Sequence, residues 1–132
     1  MRDLVRAALR LRPDRLVVGE VRGPEALDMV QALNTGHDGS LSTCHANGPV
    51  DALRRLETMV LQGGAAVPLD AVRDMVQSSI DAVVHVARGG DGRRRVTEVV
   101  ELMAPGCDPA CRVRLLATAT GRGGEISRGR TS

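Results

Sequence analysis

The sequence predicts an α/β fold, with a parallel sheet core, flanking helices and a terminal β-hairpin. Two observations carry this. Through residue 80, short apolar runs that end in polar turns alternate with segments whose apolar residues recur at helical spacing. That is the pattern of strands joined by crossover helices. Beyond residue 80, two runs rich in Val flank "GGDG", the punctuation of a hairpin.

Each element follows from local chemistry. Leu4, Val5, Ala8, Leu9 and Leu11 form one apolar stripe, with Arg2, Arg6 and Arg10 on another face. This amphipathic helix must close before Pro13. "RLVVGE" reads as a short buried strand from Arg15 to Glu20. The next helix has Pro24 at a first helical position, Glu25 in its first turn and Gly36 just past its end. A strand over Ser40–His45 comes next, then a helix after "NGPV" with Leu53, Leu56 and Val60 inward, stopped by Gly63-Gly64. A further helix runs from about Leu69 to Ser79, with Leu69, Val72 and Val76 inward. "DAVVHVAR" reads as a buried strand and "RRRVTEVVEL" as its returning partner. One domain is expected over residues 1–103. The Gly-, Pro-, Arg- and Ser-rich stretch 104–132 is expected to be mostly a disordered tail.

Composition narrows the function classes. The 132 residues, 42% apolar and 26% charged, suit one globular domain with a modest core. No apolar run approaches the ~20 residues that span a bilayer. The first fourteen residues alternate Arg with apolar residues rather than forming a secretory signal, so a cytoplasmic location is expected. With no Phe, Tyr or Trp, the core must come from Leu, Val, Ile, Ala and Met. A net charge of +2 does not by itself argue for nucleic acid. The odd set Cys44, Cys107 and Cys111 argues against a disulfide framework.

The chemistry concentrates in two places. Glu20 ends an apolar run at a turn, and ligands gather at the carboxyl ends of strands in open α/β sheets. An acid there can orient water or contact a metal-bound ligand; a solvated carboxylate paired with Arg22 is the plain alternative. "TGHDGSLSTCHAN", Thr35 to Asn47, holds two histidines, four hydroxyl residues and two glycines in thirteen positions. If Ser40–His45 is extended, Thr43 and His45 share a face, while His37 lies on the preceding loop. Hydroxyls and imidazoles suit phosphate oxygens because they donate hydrogen bonds where negative charge accumulates. The same groups also cap loops and satisfy backbone.

Together, "RLVVGEVRG" and "TGHDGSLSTCHAN" resemble the Walker B region and histidine box of the type II/type IV secretion-system ATPase superfamily, and most nearly its CpaF-like branch, the motor of Flp-type pili. The resemblance covers about Met1 to Leu102. It implies the C-terminal half of a RecA-like P-loop NTPase domain. It also implies a homo-hexamer that hydrolyses ATP with Mg2+ to drive pilus assembly or secretion. Such a motor would work through an inner-membrane platform protein, peripherally at the cytoplasmic face, with no nucleic acid partner. Carried over by position, Glu20 matches the glutamate that orients the attacking water, and His37 and His45 match the box histidines that sense the γ-phosphate. Arg22 and Thr43 match supporting positions. Gly19 stands where many P-loop enzymes keep an acid, so metal binding would lean on the P-loop and water. Phosphoryl transfer is mainly positioning and charge stabilisation, which explains the mix of acid, imidazole and cation. Of the arginines on the matched helices, Arg54, Arg55 and Arg73 read as solvated or interface charges.

All eighteen basic residues are Arg, so the chain contains no G-x-x-x-x-G-K-[ST] loop. The plainest reading is a fragment that starts between the family's acidic box and Walker B. A half-sheet of that kind is expected to expose an apolar edge and face, to be poorly soluble, and to bind ATP weakly or not at all. An inactive remnant that keeps only subunit-contacting surfaces is the main alternative. A zinc site built on Cys107-x₃-Cys111 lacks a second matching pair. A nucleic-acid site on "GRRR" lacks aromatic residues for stacking.

Overall fold

The computed structural model describes residues 1–64, 66–103, 112–120 and 125–128. Among these residues four helices, α1 (Arg2–Arg10), α2 (Glu25–Leu33), α3 (Pro49–Gln62) and α4 (Leu69–Ser79), accompany six strands. The strands are β1 (Val17–Val18), β2 (Leu41–Ser42), β3 (Ala82–Arg88), β4 (Arg94–Leu102), β5 (Val113–Thr120) and β6 (Glu125–Arg128). β1 and β2 pair in parallel, Val17 opposite Leu41. β3 to β6 form a separate antiparallel sheet in sequential order.

The core gathers one face of each helix. Val5 of α1, Met29 and Val30 of α2, Leu53, Leu56 and Val60 of α3, and Val72 and Val76 of α4 are all buried with Leu16, Val18 and Val21. Leu69 is exposed, because it opens α4 beyond the reach of the neighbouring helices. Ion pairs tie the outer helices down. Arg2 and Arg6 both hold Asp28 on α2, the latter by a 2.8 Å hydrogen bond from Nε to Oδ1. Arg112, just before β5, holds buried Glu57 of α3.

Three expectations need correction. The strands expected over Arg15–Glu20 and Ser40–His45 are each only two residues long. The Thr43 hydroxyl donates to the Gly19 carbonyl at 2.6 Å, occupying an acceptor that a regular ladder would use, so the chains stay close but irregular. Next, β3 is not fully buried. Val83, His85 and Ala87 are half-buried, while Val84 and Val86 are exposed, because helices cover only one face of its sheet. Finally, the tail expected to be mostly disordered contributes β5 and β6, which extend the hairpin into four strands. "VRLLATAT" pairs with β4 because every backbone group near a sheet edge gains a partner there. The larger sheet is therefore antiparallel, and among the described residues the parallel part is the β1–β2 pair alone.

That pair has an open side. Val17 and Leu41 are cross-strand partners and are 72% and 68% exposed. Among the described residues nothing covers them. Among the described residues, no helix is long and apolar enough to cross a membrane.

Candidate functional site

Glu20 lies two residues beyond β1 and leads into the turn before α2. Buried Val21 pins that turn: its N–H donates to the Thr43 carbonyl at 2.9 Å. Glu25 then shapes the turn from within. Its Oε1 accepts the N–H of Arg22 at 2.9 Å and of Gly23 at 3.2 Å, the carboxylate of a first helical turn reaching back to otherwise unsatisfied donors. The backbone N–H of Arg22 is the main reason that the Glu25 carboxyl sits below its usual range. Because Val21 points inward, Glu20 and Arg22 both point outward and meet.

Arg22 Nη2 donates to Glu20 Oε2 at 2.6 Å. His45 Nε2 approaches the other oxygen, Oε1, at 3.1 Å. That approach is not a hydrogen bond: Oε1 is shielded from solvent and has no hydrogen-bond partner among the described residues. The Arg22 hydrogen bond, assisted by the charges of Arg22, His45 and Arg55, outweighs desolvation and holds the Glu20 carboxyl below its ordinary range. Glu20 is therefore a carboxylate at neutral pH with one oxygen engaged and one acceptor in reserve.

These groups open onto a cleft of about 410 Å3 lined by Glu20, Thr43, Cys44, His45, Val86, Ala87, Arg88 and Arg94. One wall is the irregular strand-end segment after β1 and β2; the other is the end of the β3–β4 hairpin. Thr43 lines the cleft, yet its hydroxyl proton is committed to Gly19, so it fixes the wall more than it offers a donor. Burial raises the Cys44 thiol, which suits a packing residue rather than a thiolate nucleophile.

Of the residues that the sequence singles out, Glu20, Arg22 and His45 converge. His37 does not line this cleft. Its Nδ1 is 2.9 Å from the Ala32 carbonyl, and because a carbonyl can only accept, Nδ1 carries the proton and donates. His37 thereby ties the loop before β2 to the end of α2. Ser40 completes the loop: its Oγ accepts from Leu16 N–H at 2.8 Å and donates to the His37 carbonyl at 2.6 Å.

Sequence reasoning missed Arg88 and Arg94. They reach the site from more than forty residues downstream of His37. The available signal was the "GGDG" turn, because folding a hairpin about it sets residue 88 opposite residue 94. Among the described residues, no group of three or more His, Cys, Asp or Glu side chains is arranged to hold a metal ion. The Cys107-x₃-Cys111 pair lies outside the described residues.

Comparison with known proteins identifies relatives of this chain. Over 101 residues the chain is 45% identical to the type IV secretion system protein PtlH of Bordetella pertussis, covering 74% of this chain and 30% of that protein. It is 39% identical over 102 residues to the conjugal transfer protein TrbB of Rhizobium radiobacter, covering 77% of this chain and 30% of that one. The crystal structure of the VirB11 ATPase from the Brucella suis type IV secretion system, in complex with sulphate, superposes with a TM-score of 0.71 at 38% identity, covering 76% of this chain and 31% of that one. The chain thus spans less than a third of the length of these relatives. A family model described as type II/IV secretion system protein matches residues 1–122. With the superfamily expected from the two motif segments so matched, the chain belongs to the type II/IV secretion system protein family.

Proposed function

We propose that this chain is the water-orienting and phosphate-sensing part of a CpaF-like, RecA-type hexameric ATPase that powers pilus assembly or protein secretion. The observation that supports the reading best is the meeting of Glu20 and His45 at 3.1 Å on the wall of a cleft. In this reading Glu20 is the carboxylate that orients the attacking water. Arg22 keeps it ionised. His45 is the imidazole that responds to charge on the outer phosphate, and Thr43 sets its backbone. His37 acts at one remove, fixing the loop that carries β2 and His45. The relative solved with sulphate shows that a protein of this family takes up a tetrahedral oxyanion.

The residues fit a magnesium nucleotide in part. Among the described residues Glu20 is the only carboxylate lining the cleft, so it is the residue to receive the ion's water; the ion would neutralise phosphate charge when bound. The chain has no lysine, so a P-loop lysine must come from elsewhere. The intact motor would be a homo-hexamer at the inner face of the membrane, working on a platform protein.

A second reading is that the chain is an inactive remnant that binds an intact homologue through its open surfaces. The exposed Val17–Leu41 pair favours it. One experiment separates the two. ATP hydrolysis by a full-length homologue is measured with added wild-type chain and with Glu20→Gln. If the chain contributes a working site, wild type raises the rate and the variant does not. If both change the rate equally, the remnant reading stands and the catalytic one falls.

A further inference from the structure

We propose that Arg88 and Arg94 form an oxyanion-binding site on the hairpin wall of the cleft, suited to phosphoryl oxygens. Its identification as part of a nucleotide site rests on the reading above; the anion site itself rests on the hairpin.

The hairpin holds four arginines within eight residues, Arg88, Arg93, Arg94 and Arg95. Their surroundings differ sharply. Arg95 is neutralised by a two-pronged pair with Asp91, Nη1 to Oδ1 at 2.8 Å and Nη2 to Oδ2 at 2.6 Å. Asp91 also accepts the Arg93 N–H at 3.1 Å, and these contacts hold its carboxyl down at about 2. The turn is tight, with Gly89 N–H donating to the Arg93 carbonyl at 2.8 Å and Gly92 at a φ of 77°. That conformation favours glycine and sets the pairing of the strands beyond it. The consequence is that Arg88 and Arg94 are direct cross-strand partners.

Two like charges facing one another across an antiparallel pair destabilise it unless something intervenes. Among the described residues nothing does. Neither guanidinium has an ion-pair or hydrogen-bond partner among the described residues, although Asp91 stands only three residues from each. Both line the cleft, and the only carboxylate there among the described residues, Glu20, is already bonded to Arg22. Two cations against one engaged anion leave the cleft wall positive. Guanidinium groups present planar pairs of donors that match tetrahedral oxyanions, and two of them side by side can share one such group. The site's missing component is therefore an anion with several oxygens.

The test uses the full 132-residue chain. Inorganic phosphate, tripolyphosphate and ATP are titrated at constant ionic strength while the arginine Nε–Hε signals are followed by NMR. The variants are Arg88→Gln, Arg94→Gln, the double variant, and, as control, Arg54→Gln at an exposed position of α3. Phosphate is expected to shift Arg88 and Arg94 saturably, with tripolyphosphate binding more tightly. Each single variant should weaken binding about tenfold, the loss of one charged hydrogen-bonding group. The Arg54 variant should match wild type. Without anion, Arg94→Gln should melt no lower than wild type, since it removes a repulsion. Shifts that fail to saturate, or a double variant that binds as wild type does, overturn the site. Phosphate and tripolyphosphate held by the pair but not displaced by ATP keep the oxyanion site and remove its nucleotide reading. ATP bound equally by wild type and double variant, without phosphate binding at the pair, removes the site and leaves the nucleotide reading standing.

Discussion

The Glu20 carboxylate is bonded to Arg22 Nη2 at 2.6 Å through one oxygen, and its other oxygen sits 3.1 Å from His45 Nε2 without a hydrogen bond. Arg22 fixes the charge and orientation of the carboxylate, while Oε1 stays shielded from solvent with no hydrogen-bond partner among the described residues. Arg22→Ala should raise the Glu20 pKa towards its ordinary value of 4.5, read by carboxyl NMR titration. The sign follows from linkage. Because the folded value is depressed, the contact contributes stability above the unfolded value, and that contribution is lost as pH falls through the folded value. The wild-type chain should therefore resist mild acid better than Arg22→Ala, and the two should converge once Glu20 is protonated in both.

Asp28 supplies a second acid-sensitive contact, at the α1–α2 junction. Burial alone would raise its pKa, but the hydrogen bonds from Arg6 and Arg2 outweigh burial and lower it. Asp28→Ala should cost about 1–3 kcal/mol in chemical denaturation, the range for a hydrogen-bonded charged group. It should loosen α1 before the rest, seen as faster amide exchange over Arg2–Arg10 than elsewhere. By the same linkage, the wild-type contribution persists at neutral pH and fades as pH drops below the ordinary value of 3.8.

Gly63 marks where α3 passes α2. A Cβ there would stand 2.7 Å from Leu27 Cβ and 3.0 Å from the Pro24 carbonyl. Its φ of −66° is open to any residue, so the demand is for space and not for backbone freedom. Gly63→Ala should destabilise by about 1–3 kcal/mol through overpacking, measured as a lower denaturation midpoint with an unchanged slope. Because Pro24 precedes α2, the strain should also reach the Glu20 turn, and the Arg22 N–H signal should shift.

The helices were legible because their apolar spacing states which side is covered. Leu53, Leu56 and Val60 read as inward and are buried, as are Val72 and Val76. The strands were less so. "RLVVGE" looks like a strand of six residues, yet a single hydroxyl, Thr43, decides where its ladder ends, and that contact joins residues 24 apart. "VVHV" is apolar enough to suggest burial on both faces, but local pattern carries no information about whether a second layer exists. The segment "VRLLATAT" was hidden by its Gly- and Pro-rich surroundings, although its alternation is that of a half-covered strand. At the site, Glu20 and His45 were readable from motif positions. His37 was readable as a polar loop residue but not as one turned towards Ala32. Arg88 and Arg94 belong to the cleft only through tertiary folding.

The Val17–Leu41 pair gives a last prediction, and it concerns surface rather than core. Parallel strands normally lie under cover on both faces, yet these two residues are adjacent across the ladder and exposed to 72% and 68%. Their apolar area is therefore not stabilising the chain as it stands. Val17→Thr with Leu41→Thr should change unfolding free energy by no more than about 0.5 kcal/mol. The neighbouring Val18, only 7% exposed, is the control: Val18→Ala should cost about 2 kcal/mol. Self-association should follow the opposite order. Light scattering at equal concentration should fall for the double threonine variant and not for Val18→Ala, because an uncovered apolar pair beside an open strand edge is what a second chain would seek. A double variant as destabilised as Val18→Ala would show instead that this face is covered within the chain, and the half-sheet picture would fail.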